Sequence, residues 1–187
     1  VARMTRGANV ALTREIPGLT SLVVGVAWDA GSERVLAENL VLALLLCGPD
    51  SRVLSDRHMV FFNQLTSPEE SVAARDEALD GDQEQIEVDL RRVPAEVSRL
   101  VAVVYVNEGT AQRRTLGQLR AVSVVVRDAS THRELVRSED LAPVLQAETA
   151  LVLGEVYRHG GDWKFKVVGE GYRNGISGIA GDYGLPL

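Results

Sequence analysis

The sequence has a single cysteine, no excess of basic residues and no long hydrophobic run, and each shortage removes a class of protein. Cys47 stands alone and cannot close an internal disulfide, so nothing in the chain calls for an oxidising compartment. Acids outnumber bases 26 to 20, a net charge of −6. General nucleic-acid binders and anionic-membrane binders need the basic surface that this balance denies. The longest apolar run, residues 40–47, falls well short of the ~20 residues that cross a bilayer. No stretch near the start reads as basic, then apolar, then small-residue cleavage site. A soluble cytoplasmic domain is the expectation. Long helical patterns, internal repeats and Pro- or Ser-rich linkers are also missing, so one domain over residues 1–187 is expected.

What is present is a succession of short β-branched runs separated by turn residues. Residues 19–28 (LTSLVVGVAW) end at Asp-Ala-Gly-Ser, and residues 40–47 end at Gly-Pro-Asp-Ser. Residues 52–54 and 59–62 read as further short strands. Residues 85–90 alternate apolar and polar, as in a half-buried strand, whereas 100–106 are apolar throughout. Residues 121–127, 150–157 and 163–169 complete nine or ten strands. This spacing predicts an all-β fold, a two-sheet β-sandwich, and the continuous runs imply strands covered on both faces. Helix is confined to short pieces: one at 94–98, entered through Pro94, and one near the C-terminus at 174–182, capped by Asn174.

Three candidate chemistries read as ordinary structure. Ser55, Asp56 and His58 offer nucleophile, acid and base within four residues. A triad needs such groups to converge in space beside an oxyanion hole, and no Gly-x-Ser-x-Gly elbow is present. A hairpin turn is the better reading, with a serine hydrolase using Ser55 and His58 as the distant alternative. His58, His132 and His159 are too scattered for a zinc site, and Cys47 ends an apolar strand as a small core residue does. Residues 169–175 imitate a dinucleotide fingerprint, but Asn174 stands where its third glycine belongs.

The acidic excess is local. Residues 69–89 hold nine carboxylates and one arginine, net −8, so the rest of the chain is +2. Asp80-Gly81-Asp82-Gln83-Glu84 places acids around a glycine, the composition of a curved, oxygen-lined loop that a hard cation such as Ca²⁺ accepts. An ordinary solvated acidic loop has the same composition.

A series of ordered motifs resembles one family. Arg6-Gly7-Ala8-Asn9, Leu12-Thr13-Arg14 and Pro17-Gly18-Leu19 are followed by Val24-Gly25-Val26-Ala27-Trp28-Asp29 and Val53-Leu54-Ser55-Asp56. Then come Gly81-Asp82-Gln83-Glu84-Gln85-Ile86, Gly154-Glu155-Val156-Tyr157-Arg158-His159 and Gly169-Glu170-Gly171-Tyr172. Over essentially the whole chain this is similar to TerD-type tellurium-resistance proteins. The resemblance implies a bacterial β-sandwich linked to stress responses, in the cytoplasm or at the inner membrane face. It implies a Ca²⁺-binding module rather than an enzyme, with the ion held by acidic loops at one end. Asp29, Asp82 and Glu84 stand on matching positions. The family's Asp-x-Asp-x-Asp segment is represented by Ala37-Glu38-Asn39-Leu40-Val41, which keeps one amide oxygen, Asn39. The expectation is therefore a non-enzymatic module that docks a protein partner at its loop end. Its Ca²⁺ binding is weakened or lost, and any remaining ion rests on Asp29, Asn39, Asp82 and Glu84. A functional Ca²⁺ sensor with relocated acidic ligands is the alternative.

Overall fold

A computed structural model describes residues 2–107 and 113–186. Among the described residues, twelve strands form two six-stranded sheets packed face to face. The first sheet contains β1 (Ala2–Met4), β3 (Ser21–Asp29), β6 (Val72–Ala74), β7 (Glu84–Asp89), β9 (Ala121–Asp128) and β10 (Glu134–Ser138). Its spatial order is β1-β10-β9-β3-β7-β6. The second contains β2 (Asn9–Ala11), β4 (Leu40–Cys47), β5 (Met59–Val60), β8 (Arg99–Val106), β11 (Ala150–His159) and β12 (Asp162–Tyr172), in the order β2-β12-β11-β8-β4-β5. The expected all-β sandwich is what the chain forms.

Alternation along the strands decides which side chains meet. Leu22, Val24 and Val26 of β3, Ile86 and Val88 of β7, and Val122, Val124 and Val126 of β9 point at the second sheet. They meet Leu40, Leu42, Leu44 and Leu46 of β4 and Leu100, Ala102 and Val104 of β8 in the main core. The intervening residues of β4 and β8, among them Val41, Leu45, Val101 and Val103, form a second cluster on the outside of that sheet. Helix α2 (Gly175–Tyr183) covers it with Ile176, Ile179 and Ala180. This is why β4 and β8 are apolar at nearly every position: each is buried on both faces.

Helix α2 lies within a residue of its expected span and ends at Gly184, whose φ of 71° suits a left-handed C-terminal stop. Asn174 precedes it without a side-chain cap; its carboxamide lies over Gly178, where an added Cβ would come within 2.0 Å. The expected helix at 94–98 is a turn, closed by the Val97 N–H on the Pro94 carbonyl. A six-residue helix, α1 (Arg34–Asn39), lies outside the expected elements; it buries Leu36 and is too short to show helical periodicity. The expected strand at 52–54 reduces to one bridge at Val53, opposite Cys47. The additional strands β1, β2, β6 and β10 are three to five residues long. Among the described residues no helix is long and apolar enough to cross a membrane.

Candidate functional site

One end of the sandwich gathers the end of β3, the starts of β4, β7 and β9, and helix α1. Four side chains expected to share a cation belong to this region, and the structure sends them to different places. Asp82 lies on the outer face of the first sheet, over Gly25, where an added Cβ would fall 2.3 Å from its Oδ2. Arg127 donates to it through Nε (3.1 Å to Oδ2) and Nη2 (3.0 Å to Oδ1), and Gln85 Nε2 donates at 2.8 Å. The Asp82 side chain is fully buried, and that of Arg127 is 7% exposed. Hydrogen bonding and charge from Asp82 hold the guanidinium's pKa above its ordinary value.

Glu84 begins β7 opposite Val26, a core-facing residue, and so points between the sheets. Asp82 and Glu84 therefore occupy opposite faces of one sheet. Two left-handed residues, Asp80 (φ 62°) and Gly81 (φ 86°), turn the chain just before Asp82, so the alternation that governs β7 does not extend back to it. Asp29 accepts the Gly31 N–H on Oδ1 at 2.8 Å, closing its own turn. Asn39 donates its amide to the Val35 carbonyl at 2.7 Å, while the residue borders the same cleft as Glu84. Among the described residues no three His, Cys, Asp or Glu side chains converge as metal ligands. As a set the four do not fit a Ca²⁺ ion: one carboxylate is on the far face and already neutralised by a guanidinium, which would also repel the ion.

What the end of the sandwich does offer is a pair of adjoining clefts. One, of about 410 Å³, is walled by Trp28, Asn39, Val41, Phe62 and Asn107, with Glu38 at its rim. The other, of about 290 Å³, is walled by Phe61, Phe62, Leu65, Ala74 and Ile86, with Asp76 on its edge. Phe62, Gln83 and Glu84 belong to both. Phe62 and Leu65 are 48% and 51% exposed, unusual for large apolar side chains. Gln83 is held in place by accepting the Trp28 N–H at 2.6 Å. The Phe61-Phe62 pair is the signal for this site in the sequence, where it reads as the end of a strand; β5 stops at Val60, Phe61 packs on the outer cluster and bridges Gln64, and Phe62 is left exposed.

Burial pushes the Glu84 pKa up to about 7, and a hydrogen bond from the Leu42 N–H only partly offsets it. A carboxyl whose folded pKa exceeds its unfolded value of 4.5 favours the folded state in its neutral form and weakens it as pH rises from 4.5 to about 7. Glu84→Gln removes this penalty. The variant should melt above wild type by about 2–4 °C beyond neutral pH, roughly 1 kcal/mol after solvent screening at the cleft mouth. The advantage should fade on acidification, and a pH-independent difference in melting temperature would contradict the assignment.

Ser55, His58 and Glu69 do converge. Ser55 Oγ is 2.6 Å from His58 Nδ1, and His58 Nε2 is 3.6 Å from Glu69 Oε2. Ser55 Oγ also accepts the Arg57 N–H at 3.2 Å, as a side chain closing a tight turn does. Neither cleft is lined by Ser55 or His58. Cys47 lies under α2 with its thiol pushed up to about 12 by burial, far from the thiolate a redox or nucleophilic role needs.

The family model described as "TerD domain" matches residues 1–183. The chain is 33% identical to the tellurium resistance protein TerD of Serratia marcescens, covering 97% of this chain and 96% of the relative. It is 35% identical to general stress protein 16U of Bacillus subtilis (strain 168), with 98% and 97% covered. Among solved structures, a homologue of telluride resistance protein (TerD) from Streptomyces coelicolor A3(2) superposes with a TM-score of 0.66 at 20% identity, over 87% of this chain and 96% of the other.

Proposed function

The chain belongs to the TerD family, and from that premise we propose that it is a non-catalytic binding module of the tellurium-resistance and stress-response kind. It docks a protein partner at the cleft end of the sandwich, and its affinity for Ca²⁺ is weakened or lost. The observation that carries this reading is the division of labour between two neighbouring acids. Asp82 is spent on Arg127 inside the protein, while Glu84 faces a cleft flanked by exposed Phe62 and Leu65. Apolar side chains left in water around a concave surface support partner binding.

Thermal unfolding in a chelator and in millimolar Ca²⁺ tests the metal half of the proposal. A bound ligand at 100 times its Kd adds about 2.7 kcal/mol of stability, which is several degrees for a chain of this size. The two melting curves should coincide. A shift of several degrees in Ca²⁺ would overturn the loss of metal affinity and favour a Ca²⁺ sensor built on other acids of the 69–89 segment.

A further inference from the structure

We propose that the segment docked in the paired clefts carries an arginine or lysine next to a large apolar residue, with the cation seated on Glu84. The proposal rests on the docking reading and names the chemistry of the partner.

The charges that face the clefts are one-sided. Glu84 lies where the two meet, Glu38 borders one and Asp76 the other. Among the described residues the one basic side chain in their walls, Arg75, is engaged by Glu87 at 3.1 Å. Among the described residues no Arg, Lys or His forms an ion pair with Glu84, unlike Asp82, Glu87 and Glu155, each of which has an arginine. A carboxylate half-withdrawn from water without a cation is a costly arrangement, and a cation brought by the partner relieves it.

The walls suit the same ligand. Trp28 and Phe62 flank the cleft that contains Glu84, Asn39 and Asn107. An aromatic ring beside a carboxylate accepts an organic cation by its face and by charge together, and a guanidinium stacks on such rings. The fold already uses that contact elsewhere, with Arg158 placed 4.3 Å above the Trp163 ring. The companion cleft, lined by Phe61, Phe62, Leu65 and Ala74, accepts a branched aliphatic side chain. A bare divalent ion gains nothing from the aromatic walls, and an acidic segment would be repelled by three carboxylates.

The test is a titration of the ¹⁵N-labelled protein with three acetylated, amidated tripeptides: leucyl-arginyl-leucine, leucyl-glutaminyl-leucine and leucyl-glutamyl-leucine. The arginine peptide should shift the Trp28 indole and the Phe62 and Glu84 amides. It should bind about five- to tenfold more tightly than the glutamine peptide, with the glutamate peptide weakest. Glu84→Gln, checked for its fold by its amide spectrum, should erase the preference for arginine, so that the arginine and glutamine peptides bind it alike. Equal binding of the arginine and glutamine peptides at the clefts would overturn the basic-segment proposal and leave docking standing. If none of the peptides perturbs the cleft residues, both fall.

Discussion

Asp82→Ala should cost the folded state about 3 kcal/mol, because it takes from the buried Arg127 guanidinium the carboxylate that Nε and Nη2 both engage, leaving it the Asp80 carbonyl at 3.3 Å and a longer approach to Glu134 at 3.9 Å. The expected loss is large for two reasons. The Asp82 side chain is fully buried and that of Arg127 nearly so, so little water reaches the guanidinium to replace the lost carboxylate. Both carboxylate oxygens are also occupied, by Nε and Nη2 of Arg127 and Nε2 of Gln85, so truncation removes three hydrogen bonds at once. Urea denaturation followed by circular dichroism measures the difference from the midpoints, provided the slope with denaturant is unchanged. A loss below about 1 kcal/mol would place the pair among ordinary surface ion pairs and overturn its structural role. Replacing both partners, Asp82→Leu with Arg127→Met, should recover most of the stability, since two apolar side chains leave no buried charge behind.

Gly25→Ala should be the second costly change, about 2–3 kcal/mol, although it adds one methyl group to a strand where alanine is intrinsically the better residue. The added Cβ would stand 2.3 Å from Asp82 Oδ2 and 2.9 Å from its Cγ, and the carboxylate cannot retreat while Arg127 and Gln85 hold it. The loss is thus the loss of the ion pair by displacement, and it should vanish when Asp82 is already gone. In an Asp82→Ala background, Gly25→Ala should be neutral or mildly stabilising. A double-mutant cycle measures this coupling directly: additive losses would mean that Gly25 serves something other than room for Asp82.

Much of the sandwich is legible in the sequence because its central strands are long and chemically plain. Leu40–Cys47 and Arg99–Val106 show as continuous apolar runs, and burial on both faces explains why. The short strands Ala2–Met4, Asn9–Ala11 and Val72–Ala74 have too few residues to display a period of two. The site is harder to read. Asp82 and Glu84 are two residues apart, the spacing that puts side chains on one face of a strand, yet they diverge because Asp82 belongs to the turn before β7. Spacing alone also cannot show that Arg127, 45 residues away, claims Asp82. Phe62 looks like strand core by composition, but it lies beyond β5, in the tight turn that the Phe61–Gln64 bridge closes, and so stands at the surface.

The flanks of the sandwich have a consequence for behaviour in a crowded cell. Each sheet ends in strands of only two or three residues, β1 and β6 on one and β2 and β5 on the other. The outward side of β6 is occupied as well: the Ser67 N–H donates to the Val72 carbonyl and that of Ala74 to the Leu65 carbonyl. Edges this short and partly covered give a second molecule a poor template along which to extend either sheet. Strands such as Leu40–Cys47, amyloid-prone by composition if exposed, are thereby held inside a sheet with a neighbour on either side.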